Sequence, residues 1–162
     1  MDRRHSSSRR HASMNHEAVS GVFFEESYVV PADQTARSLF SRLPHGCDYA
    51  EQLIECLATG YLVAIIESVC IREVQRLTDA EAEVVVGRSI RIDHLGPIPP
   101  GSPLRLRGWV ERLGDRSVTF RVRAHDAHEI VCEAIVTLVA TSRQTIESRI
   151  TAKVTALREP AP

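Results

Sequence analysis

The sequence predicts an α+β fold in which an antiparallel sheet of five strands curls around one long central helix. Three observations carry that expectation. Gly60 to Ile66, inside Leu57-Ala-Thr-Gly-Tyr-Leu-Val-Ala-Ile-Ile-Glu-Ser-Val-Cys70, is an unbroken apolar run. Such a run suits a helix wrapped on nearly every side by other structure. Four later segments alternate apolar and polar residues with the period of a strand, and one aromatic, β-branched segment precedes the helix. Several strand faces then need one apolar partner, and this helix is the only candidate.

Taken in order, residues 1–17 are Ser, Arg and His with almost nothing apolar. They cannot bury enough surface to offset ordering entropy, so a disordered tail is expected, with His5, His11 and His16 solvated rather than metal-bound. Val22 to Val30 reads as a strand with Phe24, Tyr28 and Val30 on one face, closed by Pro31. Residues 31–47 read as an irregular connection. Asp48-Tyr-Ala-Glu51 has the chemistry of a helix start and predicts a short turn, and Thr59-Gly60 sits where an N-cap would open the long helix. Past Arg72 that helix becomes amphipathic.

In Val84 to His94 the even positions Val84, Val86, Ile90, Ile92 and His94 are expected on one face, interrupted by Arg88. Leu104 to Glu111 and Val118 to His125 alternate cleanly, and Glu129 to Ala140 is apolar on both faces, as suits a strand inside a sheet or at an interface. The order amounts to a hotdog architecture over residues 18–141. A single such sheet leaves an edge strand open, so a homodimer with one continuous sheet is expected. Residues 142–162 carry Ile146, Ile150, Val154 and Leu157 at spacings of three and four, which predicts an amphipathic helix or tail.

Composition narrows the function classes. The 162 residues fit one domain, and the net charge of -1 with no basic tract beyond the first ten residues argues against a nucleic-acid partner. No apolar run approaches the roughly 20 residues that span a bilayer, and no hydrophobic region follows the N-terminal arginines, so a cytoplasmic protein with no membrane partner is expected. Cys47, Cys56, Cys70 and Cys132 lack metal-ligand spacing and read as free thiols.

Three polar residues fall where the pattern predicts burial: Thr59, Glu67 and His94. Thr59 and Gly60 lie at a helix N-terminus, whose free amides suit an oxygen gaining negative charge. Glu67 would act as general base on water or as nucleophile, and His94 would orient the carboxylate or move protons. Each has a plainer reading: Thr59 as an N-cap, Glu67 as a core carboxylate answering Arg72 or Arg88, His94 as a strand-end residue. The eight residues between Thr59 and Glu67 span about 12 Å of helix. They would meet only across two antiparallel subunits.

The segments Tyr28-Val-Val-Pro-Ala-Asp-Gln-Thr35, Ala58 to Cys70, Gly87 seven positions before His94, and Phe120-Arg-Val-Arg-Ala-His-Asp126 resemble the fluoroacetyl-CoA thioesterase family. That resemblance implies a catalytic Thr59, Glu67 and His94, with Gly87 near the reacting acyl group, and hydrolysis of a short acyl-CoA to acid and free CoA with no metal or cofactor. The family's aromatic lid residues would fall near Ala50 and Leu53, so the acyl pocket is reshaped and fluoroacetate is not the expected substrate. Leu53, Gly60, Gly87 and Arg88 are the expected substrate contacts, with Arg88, Arg91, Arg105 and Arg107 as the cations available to CoA phosphates. The sequence leaves open an acyl-carrier protein as thiol donor, a non-hydrolytic acyl-thioester binding protein, and a hydratase or dehydratase based on His94.

Overall fold

The computed structural model describes residues 16–46 and 48–158. The expectations for the tail before His16 and for Cys47 therefore lie outside the described residues. A short helix α1 (His16–Ser20) leads into β1 (Phe23–Val29), α2 (Ala36–Phe40), a 3-10 turn (Ala50–Gln52) and the long helix α3 (Thr59–Gln75). Four strands follow, β2 (Glu83–His94), β3 (Pro103–Leu113), β4 (Ser117–His125) and β5 (Ile130–Ser142), and then α4 (Arg143–Arg158). All the pairings are antiparallel, in the order β1-β3-β4-β5-β2. This is the expected five-stranded sheet. The doubly apolar β5 lies inside it, and β1 and β2 form its edges.

The helix packs on the sheet along one side. Leu62, Ile66, Val69, Cys70 and Val74 are buried at spacings of three and four, against Val122, Ala134, Val136 and Leu138 among others. The opposite side is not wrapped within the chain. Ala64 is exposed, and Tyr61, Val63 and Ile65 are only half-buried. The unbroken apolar run is therefore explained only in part by the packing of one chain.

Two bulges correct the expected strand faces. The β2–β5 register shifts between Gly87 and Ser89, leaving Arg88 as the extra residue. Before it, Val85 and Gly87 stand beside the buried Ala140 and Leu138; after it, Ile90, Ile92 and His94 stand beside Val136, Ala134 and Cys132. Val84 and Val86 thus occupy the outer face, opposite to the face expected for them. A spacing of seven would put Gly87 and His94 on opposite faces of a regular strand, and the bulge puts them on one. A second shift between Val110 and Arg112 returns Leu113 to the core side, opposite Val118.

The stretch 31–47 holds a helix that was not expected there. Thr35 caps α2, its Oγ1 accepting the Ser38 N–H at 3.1 Å. Backbone bonds then clamp the approach to α3: the Ala58 N–H donates to Gln34 O at 3.1 Å and the Leu57 N–H to Ile98 O at 2.7 Å. Among the described residues no helix is long and apolar enough to cross a membrane.

Candidate active site

The first turn of α3 carries no side-chain cap. Ala58 occupies the N-cap position without a capping hydrogen bond, and Thr59 is the first helical residue. The N-cap reading of Thr59 is thereby corrected. Its hydroxyl is turned instead to the end of β2, with Oγ1 and the His94 Nδ1 2.9 Å apart; the tautomer decides which group donates. The amides that open the helix remain available to an anion.

Within the single chain Thr59 and Gly60 are exposed, and Glu67 and His94 are half-buried. The burial expected for the three polar residues is thus incomplete, because the open side of α3 leaves them uncovered. The other ring nitrogen, His94 Nε2, is buried without a hydrogen-bond partner among the described residues. Burial pushes the imidazole below its ordinary pKa, with the Gly96 backbone opposing the shift. At neutral pH the ring is uncharged and keeps a lone pair for proton transfer.

Two helical turns further on, Glu67 meets the other part of β2. A Cβ built on Gly87 would fall 1.7 Å from Glu67 Oε1, so only glycine admits the carboxylate there. Arg72 does not answer Glu67; its guanidinium pairs with Glu26 and Glu73. Arg88 is an exposed bulge residue and forms no ion pair with Glu67. The structure therefore brings together Thr59 with His94 and Glu67 with Gly87, as two separate groupings in one chain.

The remaining expected contacts are scattered. Gly60 lies under Leu39 of α2, whose Cδ2 would stand 2.9 Å from a Cβ at that position. Leu53 ends the 3-10 turn, and its carbonyl accepts from Arg37 at 3.1 Å. Arg105 and Arg107 share Glu25 on the outer face of the sheet, at 3.4 and 2.9 Å, and Arg91 faces Asp93 at 3.6 Å. A cavity of about 480 Å³ opens on that outer face, lined by Ser27, Arg105, Arg107 and His125. It is separated from Thr59 by the sheet and is not the candidate site.

Sequence reasoning missed Leu39 and the role of Gln34. The Gln34 carbonyl holds the Ala58 N–H, while its side chain accepts the Tyr28 hydroxyl at 2.6 Å. Cys70 and Cys132 offer no rival nucleophile: burial pushes the Cys70 thiol, next to Glu67, and the Cys132 thiol up to about 12.

A sheet curled on one long helix, with polar groups gathered where the helix begins, defines a hotdog-fold protein. A model of the family described as fluoroacetyl-CoA-specific thioesterase matches residues 45–144, and the chain belongs to that family. It is 28% identical over 106 residues to the fluoroacetyl-CoA thioesterase of Streptantibioticus cattleyicolor, covering 65% of this chain and 73% of that one. A crystal structure of a single-residue variant of the fluoroacetyl-CoA-specific thioesterase superposes with a TM-score of 0.74 at 25% identity, over 83% of this chain and 96% of that chain. A hot-dog-like protein from Thermanaerovibrio acidaminovorans shares the fold, with a TM-score of 0.72 at 19% identity over 85% and 94%.

Proposed function

We propose that this protein hydrolyses short acyl-CoA thioesters at sites shared between the two subunits of a dimer. The carrying observation is that one chain supplies the site in two halves: Thr59 hydrogen-bonded to His94 at an uncapped helix start, and Glu67 laid against Gly87. The open side of α3 and the uncovered edge of β2 are the surfaces that would close it. Antiparallel pairing of β2 with its copy continues the sheet and turns the Thr59 end of one subunit toward Glu67 of the partner subunit. Membership of a thioesterase family supports the reaction.

In this reading the thioester carbonyl sits at the start of α3, where the Thr59 hydroxyl and the free amides stabilise the oxyanion that forms on attack. Glu67 of the partner subunit takes a proton from the attacking water, or attacks the carbonyl itself to give an anhydride that water then opens. The thiolate leaves as the oxyanion collapses. In the first route the proton that Glu67 took from water passes to it by way of His94 Nε2, which has no other hydrogen-bond partner among the described residues, and in the second the water that opens the anhydride supplies it. Gly87 lets the carboxylate approach the strand. Residues 18–141 form the catalytic unit, and the thiol carrier is CoA, with an acyl-carrier protein as the other thioester of the same chemistry.

Free-thiol release from short, branched and aromatic acyl-CoAs tests the reading. Wild type should release thiol with at least one of them, and Glu67→Gln should lower kcat/KM by about 100-fold or more. Equal rates would remove Glu67 from the mechanism.

A further inference from the structure

α4 lies almost wholly past residue 144, where the match to the family model ends. Among the described residues only its first turn is tied down: the Arg143 N–H donates to Ala82 O at 3.0 Å, its guanidinium to Ala80 O at 2.9 Å, and the Thr145 N–H to Ser142 Oγ at 3.3 Å. None of the sixteen residues is buried. An isolated helix of this length is marginal in water, so it needs packing on one face. Ile146, Ile150, Val154 and Leu157 form that face, and Leu157 is 85% exposed. Arg143, Arg149, Lys153 and Arg158 face a single carboxylate on the helix, Glu147.

A complementary surface precedes α3. Ile54 is 77% exposed, and Tyr49 in the same segment is also exposed. Glu51 and Glu55 flank Ile54 and share one guanidinium, Arg37, at 3.8 and 3.1 Å. This segment is apolar with an acidic surplus, whereas α4 is apolar with a cationic one. A second α4 would meet α4 with like charge, and the 48–55 segment meets it with the opposite charge.

The chain path decides whose 48–55 segment α4 can reach. Ser142, the root of α4, pairs with Glu83 at the start of β2, and Thr59 is bonded to His94 at the other end of that strand. Twelve residues of strand separate the two ends by about 40 Å, and sixteen residues of helix reach about 24 Å. α4 therefore falls short of the Thr59 end of its own chain. In an antiparallel β2 pair, however, the Glu83 end of one subunit lies beside the His94 end of the other. We propose that α4 of each subunit lies across the 48–55 segment of its partner and roofs the entrance to the shared site. The inference rests on the dimer of the proposed function.

Intersubunit disulfide formation tests it. Chains carrying Ile54→Cys and chains carrying Leu157→Cys, each with Cys47→Ser and Cys56→Ser, are mixed, subunits exchanged, and oxidised, while light scattering gives the mass of the full-length protein. The mixture should yield a reducible two-chain band at least tenfold stronger than either variant alone. A dimer with no such band, or with Leu157→Cys linking to itself, would overturn the docking and leave the dimer standing. A monomer by light scattering would overturn both.

Discussion

Thr59 spends its hydroxyl on His94 rather than on its own helix, and this choice separates a chemical role from a capping one. Thr59→Ala should lower kcat/KM by about 10²–10³, the cost of one oxyanion donor, with little change in thermal stability because the residue is solvent-exposed and caps nothing. Burial keeps the folded-state pKa of His94 under its ordinary 6.5. The activity governed by its neutral form should thus persist to mildly acidic pH and fall along a limb below 6.5 that His94→Gln abolishes in a kcat/KM profile. The unfolded chain binds that proton at higher pH than the folded one, so stability also declines as pH falls through the same window. Gly87→Ala should push the Glu67 carboxylate aside and cost at least about tenfold in kcat/KM, with Tm as the control for folding. The sequence singled out Thr59, Glu67 and His94 by residue type and position in the apolar pattern, and Gly87 only through the family resemblance. The plainer alternative, Thr59 as an N-cap, is the reading that fails, because a threonine at a helix start is more often a cap than a partner to a distant strand.

Between elements, a few side chains hold the strands and helices in register. Gln75 closes α3 onto β2, its Oε1 accepting the Val85 N–H at 2.9 Å and its Nε2 reaching Thr78 and the Glu83 carbonyl. Gln75→Ala leaves a strand amide without its partner and should cost about 1–3 kcal/mol in denaturant unfolding. On the far edge the Phe24 ring lies over Gly108, where a Cβ would fall 2.2 Å from Cζ. Gly108→Ala should destabilise by about 1–3 kcal/mol through overpacking, without altering the pH profile. β3 and β4 were readable from their alternation, and β5 and α3 from apolar runs too long for a loop. The β2 faces were not, since a single extra residue reverses parity and the interruption at Arg88 was its only trace. The five residues of α2 are too few to show a helical period, and Thr35 reads equally well as a turn residue before its Ser38 bond is seen.

At the scale of the molecule, apolar surface left open on α3, an edge strand β2 that Gln75 covers only at its Glu83–Val85 end, and the candidate Thr59, His94 and Glu67 residues in two groupings are what the proposed second copy would complete. That second copy is expected from the sequence because the helix between Thr59 and Glu67 is too long for their side chains to meet within one chain. Complementation between inactive subunits tests it most directly. Thr59→Ala and Glu67→Gln homodimers should each be nearly inactive, while a purified heterodimer of the two carries one intact site and should recover about half the wild-type rate per dimer. A heterodimer as inactive as its parents would contradict a site shared between subunits.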